Sequence, residues 1–202
     1  MKTKDLKLRR WEIALLLALV ISMLAGLWAG REQRRLAAGL IRLHVIAASD
    51  GAEDQAVKLQ VRDAVLEKLT PALEAAQTPQ QAQEIVERAL PTLAGIGEAV
   101  SGQHTRATLG WENYPTRVYE GFALPAGDYL SLRLELGEAK GKNWWCVVFP
   151  PLCAAAAEHS QDALREMLGE DEAALVTGDG RSYVLKFRLI ELWDSLRYAL
   201  RG

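Results

Sequence analysis

The spacing of hydrophobic positions changes along the chain, and each change marks a different kind of element. From Ile13 to Gly30 the eighteen residues IALLLALVISMLAGLWAG carry no charge. As a helix rising about 1.5 Å per residue they reach roughly 27 Å, just enough to cross a hydrocarbon core of about 30 Å. Leu40 to Ala47 then alternates Ile41, Leu43 and Val45 with Arg42 and His44, which is the period of a strand. Asp50 followed by Glu53 has the form of a capping box. Val57, Val61, Ala64, Val65 and Leu69 recur behind it at helical spacing as far as Pro71. A second helix is expected from Thr78, with Pro79 at its first position, Gln81 completing the box, and Ile85, Val86, Ala89, Leu90 and Leu93 as its apolar stripe. Pro91 should kink or end it, and Gly95, Gly97 and Gly102 read as the exit into a loop.

From Thr105 the period becomes extended. RATLGW, TRVYEGF and DYLSLRLELG follow one another, the last alternating Leu130, Leu132, Leu134 and Leu136 with Ser131, Arg133 and Glu135. Asn143 to Phe149, NWWCVVF, reads as an inner strand stopped by Pro150 and Pro151, because proline cannot donate to a ladder. A short helix is expected at Asp162 to Leu168, a last strand at Tyr183 to Arg188, and then an amphipathic helix bearing Leu189, Leu192, Trp193, Leu196 and Leu200. Helices first and antiparallel strands after them predict an α+β domain in two layers, an antiparallel sheet packed against helices. The organisation expected is a signal peptide or membrane anchor at 1–30, a short stalk at 31–39, and a single extracytoplasmic domain at 40–202.

Charge sharpens that division. Residues 1–35 hold eight Lys or Arg against three acids, leaving 16 basic and 23 acidic groups in the remainder. So acidic a domain would repel a phosphate backbone, which excludes nucleic acid as a partner. Five basic residues precede the apolar run and Arg31, Arg34 and Arg35 follow it, a bias toward the N-terminus inside and the domain outside. Cutting after Ala29 would put Leu27, and cutting after Ala25 would put Met23, where signal peptidase prefers a small residue. Cleavage and retention both stay open.

Two stretches carry a resemblance that composition does not supply: LIRLHVIAASDGAEDQAVKLQVRDAVL at 40–66 and YPTRVYEGFALPAGDYLSLRLELGEAKGKNWWCVVFPPLC at 114–153. They resemble the stage II sporulation protein R family. Runs of mixed aromatic, proline and glycine residues such as YPTRVYEGFALPAG and NWWCVVFPPLC rarely recur by chance. The resemblance implies a protein made in the forespore and exported to the space between forespore and mother-cell membranes. There it would activate, without being an enzyme, the mother-cell membrane protease that processes pro-sigma-E. No catalytic residue and no cofactor comes with the resemblance.

Cys146 and Cys153 are the only cysteines, seven residues apart. In an exported domain they could form a disulfide, stay buried as thiols, or supply a nucleophile at Cys146. The last option, with one of His44, His104 and His159 as base, defines the alternative reading of a cell-wall hydrolase or transpeptidase. The histidines have no metal-ligand spacing, so no metal site is expected. His44 reads as a surface or half-buried sheet residue, and Glu53, Asp54, Asp63, Lys58 and Arg62 as a solvated helix face. Tyr114, Arg117, Tyr119 and Phe122, crowded around a proline and a glycine, are candidate partner-binding residues, because aromatics and arginine dominate protein interfaces. Trp144 and Trp145 join them: adjacent strand residues face opposite ways, so one should enter the core and the other be covered or bind.

Overall fold

The computed structural model describes residues 9–119, 122–153, 164, 165 and 176. Helix α1, Arg10–Ala38, contains the whole apolar run, and at its start the Glu12 carboxylate accepts from the Arg9 amide at 2.6 Å. The expected stalk is a continuation of this helix, because Leu36 and Ala37 are buried in the domain and hold its last turn in place. Strand β1, Ile41–Ile46, follows at once.

Helices α2, Ala52–Glu74, and α3, Pro79–Ser101, cover one face of the sheet. The Asp50 capping box does not form. Gly51 is the N-cap of α2 and the Asp50 carboxylate instead accepts from the Lys142 amide at 2.7 Å, tying the helix start to a segment far later in the chain. Thr78 does cap α3, its hydroxyl accepting from the Gln81 amide at 3.2 Å. Both helices run through a proline: α2 through Pro71, where it was expected to end, and α3 through Pro91, which was expected to kink or end it. Pro71 and Pro91 lie on the exposed side, as do Glu67 and Glu87, whose carbonyls each proline frees, so water can take those carbonyls while the buried stripe holds the helix. Gly95 and Gly97 are therefore helical, and Gly102, at φ 65°, is the left-handed C-cap that ends α3.

Four strands form the main sheet in the order β2-β5-β1-β6, with β2 Thr105–Tyr114, β5 Gly127–Leu136 and β6 Asn143–Phe149. A separate ribbon joins β3, Arg117–Tyr119, to β4, Phe122–Leu124. The sheet is rich in antiparallel pairing, as expected, but β1 and β5 run parallel, with Leu43 beside Leu132 and Val45 beside Leu134. Among the described residues β6, the aromatic strand expected inside the sheet, pairs with β1. Its second half is buried, with side chains in the cores on both faces of the sheet. Of the expected helix at Asp162 to Leu168 only Leu164 and Arg165 are described, and both are helical. The expected strand at Tyr183 to Arg188 and the final amphipathic helix lie outside the described residues.

Period-two alternation in β1 and β5 divides the interior into two cores. Ile41, Leu43, Val45, Leu132, Leu134 and Leu136 meet Val61, Val65, Leu69, Val86 and Leu93 of the helices. The opposite face of the sheet meets Leu36, Ala37 and Leu40 from the α1 junction, Phe122 and Leu124 from the ribbon, and Leu164 and Val176. Lys58 is not on a solvated face but buried, donating to Gln55 Oε1 at 2.7 Å and the Lys142 carbonyl at 2.9 Å.

Candidate partner-binding site

The second core is polar at its centre. Arg42 alternates with the apolar residues of β1 and so projects from the face away from α2 and α3, where the ribbon and the α1 junction cover it completely. Its guanidinium lies 3.8 Å from the ring centre of Tyr114, 5.0 Å from Tyr129 and 5.9 Å from Tyr119. Nη2 donates to the Tyr119 hydroxyl at 2.5 Å, whereas Nε and Nη1 have no hydrogen-bond partner among the described residues. A buried cation is costly unless compensated, and here the ring faces supply the compensation. Burial raises the phenols of Tyr114, Tyr119 and Tyr129 above the usual tyrosine range, so all three stay protonated and neutral.

Around this cage runs a polar belt on the same sheet face. Register brings His44 of β1 level with Arg133 of β5 and Trp145 of β6. His44 is half-buried, as its alternation implied, with Nδ1 3.1 Å from Glu112 and Nε2 3.0 Å from Asn143. Arg133 bridges Glu112 at 3.2 Å and Glu135 at 2.6 Å. Burial by itself would raise the Glu112 carboxyl, but hydrogen bonding by His44 and Ser131 and the charges of His44 and Arg133 hold it down at about 2. The belt is therefore a fixed charge ladder with Glu112 at its hub.

The ribbon supplies the outer wall. Arg117 of β3 stacks on Trp145 with its guanidinium carbon 3.8 Å from the ring centre, and Tyr119 stacks on Phe122 at 4.8 Å. Arg117, Tyr119 and Trp145 are half-buried, and Val118 between the first two is 76% exposed. Arg117, Tyr119 and Trp145 form a compact platform of aromatic and cationic surface, and Val118 alternates to the other, exposed side of β3. Tyr114 and Phe122, expected at the partner surface, are buried in the second core because Tyr114 holds Arg42 and Phe122 seats the ribbon. Trp144 lies on the other side of the sheet, packed against the first core, with Arg62 of α2 4.8 Å from its ring centre. The two adjacent tryptophans thus serve different faces, each covered by an arginine from another element.

Cys146 and Cys153 are joined in a disulfide, with Cα atoms 5.6 Å apart. The Pro150-Pro151 turn, whose Phe149–Pro150 bond is cis, brings the two sulfurs together. Pairing takes Cys146 out of thiolate chemistry, which removes the nucleophile that the hydrolase reading required. The sequence reading missed Arg42, Tyr129, Glu112 and Ser131 as members of the site. One signal was available: Arg42 is a charged residue inside a short apolar strand, with tyrosines near the ends of two later strands.

A sequence model of the family described as Stage II sporulation protein R matches residues 37–159, which include every strand of the main sheet and both covering helices. The stage II sporulation protein R of Bacillus subtilis (strain 168) is 33% identical over 118 residues, an alignment covering 56% of this chain and 53% of that protein. The chain thus spans about half the length of that relative. No solved structure matches it. With more than half of its residues inside the family match, the chain belongs to the stage II sporulation protein R family.

Proposed function

We propose that this chain is an exported sporulation signal, and that it acts by binding and activating the mother-cell membrane protease that processes pro-sigma-E. The observation that carries the reading is the family match across the whole sheet and its helices. An apolar N-terminal helix suited to export or anchoring supports a place of action in the space between forespore and mother-cell membranes. Contact with the protease is made by the ribbon, through the Arg117, Tyr119 and Trp145 platform and the exposed Val118 on the other side of β3, because interfaces favour aromatic and arginine side chains.

The test is genetic. Deleting the gene in its own host should block removal of the pro-sigma-E segment, and the wild-type gene should restore it. A variant carrying Arg117→Ala and Val118→Asp should restore it poorly while accumulating to the normal level. A Cys146→Ser, Cys153→Ser variant should restore it wherever enough folded protein persists, since binding needs no thiol. Normal processing in the deletion strain would overturn the reading.

A further inference from the structure

Helix α1 and the domain form one continuous object. The helix has 29 residues, about 44 Å of rise against a hydrocarbon core of about 30 Å, so its last turns stand outside any bilayer that the apolar run enters. Trp11 lies just before that run and Trp28 near its end, 58% and 63% exposed. Their separation along the axis, about 26 Å, matches the spacing of the two interfacial layers in which tryptophan is enriched. Arg31, Arg34 and Arg35 follow directly, against the single acid Glu32.

What comes next removes any hinge. Between Arg31 and Ala38 there is neither glycine nor proline, and Leu36 and Ala37 are buried in the second core. The side chain of Gln33 occupies the space that a Cβ at Gly127 would need, and Gly127 has φ +151°, so this position of β5 is shaped to receive the helix. Only about 10 Å of helix separates Arg31 from Ala38. At that end of α1 a groove runs between Ala37, Leu40, Pro79 and Trp111, with Gln80 and Gln83 also lining it, and Trp111 is 65% exposed.

We infer that α1 is retained as a membrane span and acts as a rigid post that seats the domain on the outer surface of its own membrane. Arg31, Arg34 and Arg35 lie among the phosphates of an anionic phospholipid bilayer, and Trp111 faces the headgroup layer. The ribbon platform is then held at one height and one orientation above the bilayer. The inference concerns lipid alone and holds whichever protein the platform contacts. Retention also fits the sequence around the two small-residue cut positions, each preceded by a bulky residue, Met23 or Leu27.

The experiment uses the full chain. Its intact mass is measured from the membrane fraction of a sporulating host. The purified protein is also placed in vesicles of phosphatidylglycerol and phosphatidylethanolamine carrying a headgroup spin label. The tryptophan emission lost in Trp111→Phe, taken as a difference from wild type, isolates the Trp111 signal. The expected result is an uncut N-terminus and a Trp111 signal quenched by the label. Inserting a flexible Gly-Ser linker after Arg31, which leaves every tryptophan in place, should abolish that quenching and keep the protein in the membrane. A mature N-terminus at Gly26 or Gly30, or a Trp111 signal indifferent to the label, overturns the inference.

Discussion

Arg42 offers a sharp test of what holds the second core together. It is fully buried, and its compensation is three tyrosine rings and one hydroxyl. The desolvation of a buried ion costs several kcal/mol, against which each ring contributes about 0.5–2 kcal/mol and the hydrogen bond to Tyr119 about 1 kcal/mol. Arg42→Met gives up the rings and the hydrogen bond but also the desolvation cost, and it nearly fills the volume. Its net loss should be about 1 kcal/mol. Arg42→Lys keeps a charge, and a more strongly hydrated one, but cannot lie flat on Tyr114, so it should lose about 3 kcal/mol. Arg42→Ala leaves a cavity and an orphaned Tyr119 hydroxyl and should lose about 4 kcal/mol. The order is therefore Met, Lys, Ala, with the nominally conservative change worse than the apolar one. At about 2–4 °C per kcal/mol for a domain of this size, Lys should melt about 4–8 °C below Met. Near-ultraviolet circular dichroism of the full chain in detergent reads this directly, because the cage is made of tyrosines. If Lys melts at or above Met, the charge itself carries the stability and the aromatic account of the cage is wrong.

Three further outcomes follow from other parts of the fold. Replacing both Cys146 and Cys153 by Ala opens a closed loop with a sequence separation of 7, for which loop entropy gives a loss of about 2.5 kcal/mol; thermal melts of the variant and of reduced wild type should drop together, and an unchanged melt would show that the bond is not a restraint. Gly95 and Gly97 lie two residues apart in α3, yet a Cβ at Gly95 meets nothing and one at Gly97 runs into the Thr105 side chain. Gly95→Ala should stabilise by about 0.5–1 kcal/mol and Gly97→Ala should destabilise by about 1–3 kcal/mol, so equal effects in denaturant titration would contradict the packing of α3 on β2. The Glu112 carboxyl is held at about 2 against an ordinary 4.5, so its stabilising contribution is complete above about 4.5 and is lost as pH falls through 2. Between those limits wild type should lose more stability than Glu112→Gln, by about 1–2 kcal/mol once partial exposure is discounted, and parallel profiles would remove Glu112 from its hub role.

Much of this fold is legible in the chain where one local rule decides. Alternation gives β1 and β5, and Thr78 with Pro79 gives the start of α3. Where two rules compete, the sequence is silent on the winner. Proline disfavours a helix interior, but Pro71 and Pro91 sit on the solvent side of stripes whose burial outweighs the missing bonds. Gly97 reads as a loop residue by type, but it marks where α3 approaches β2 most closely. The same limit applies to the site. Tyr114, Phe122 and Trp145 stand out by composition, yet sorting the buried from the half-buried needs the register of β1, β2, β5 and β6, which only tertiary pairing sets. Arg42 was hidden for that reason: alternation puts it on the polar face of a strand, and nothing local shows that the ribbon and α1 close over that face.

The parallel pairing of β1 with β5 orders events in time. Ile41 is paired with Leu130 and with Phe149, partners far later in the chain. Helices α2 and α3 are neighbours in sequence and can find each other early, but β1 must wait with both of its edges open until β5 is delivered as far as Leu136, and with one open until β6 is delivered as far as Phe149. A domain that crosses a membrane with β1 leading would therefore cross it with its central strand unpaired, and the sheet would close only after most of the domain had emerged. Holding β1 soluble through that interval falls to the two polar side chains that interrupt it, Arg42 and His44, the same pair that afterwards organises the cage and the belt.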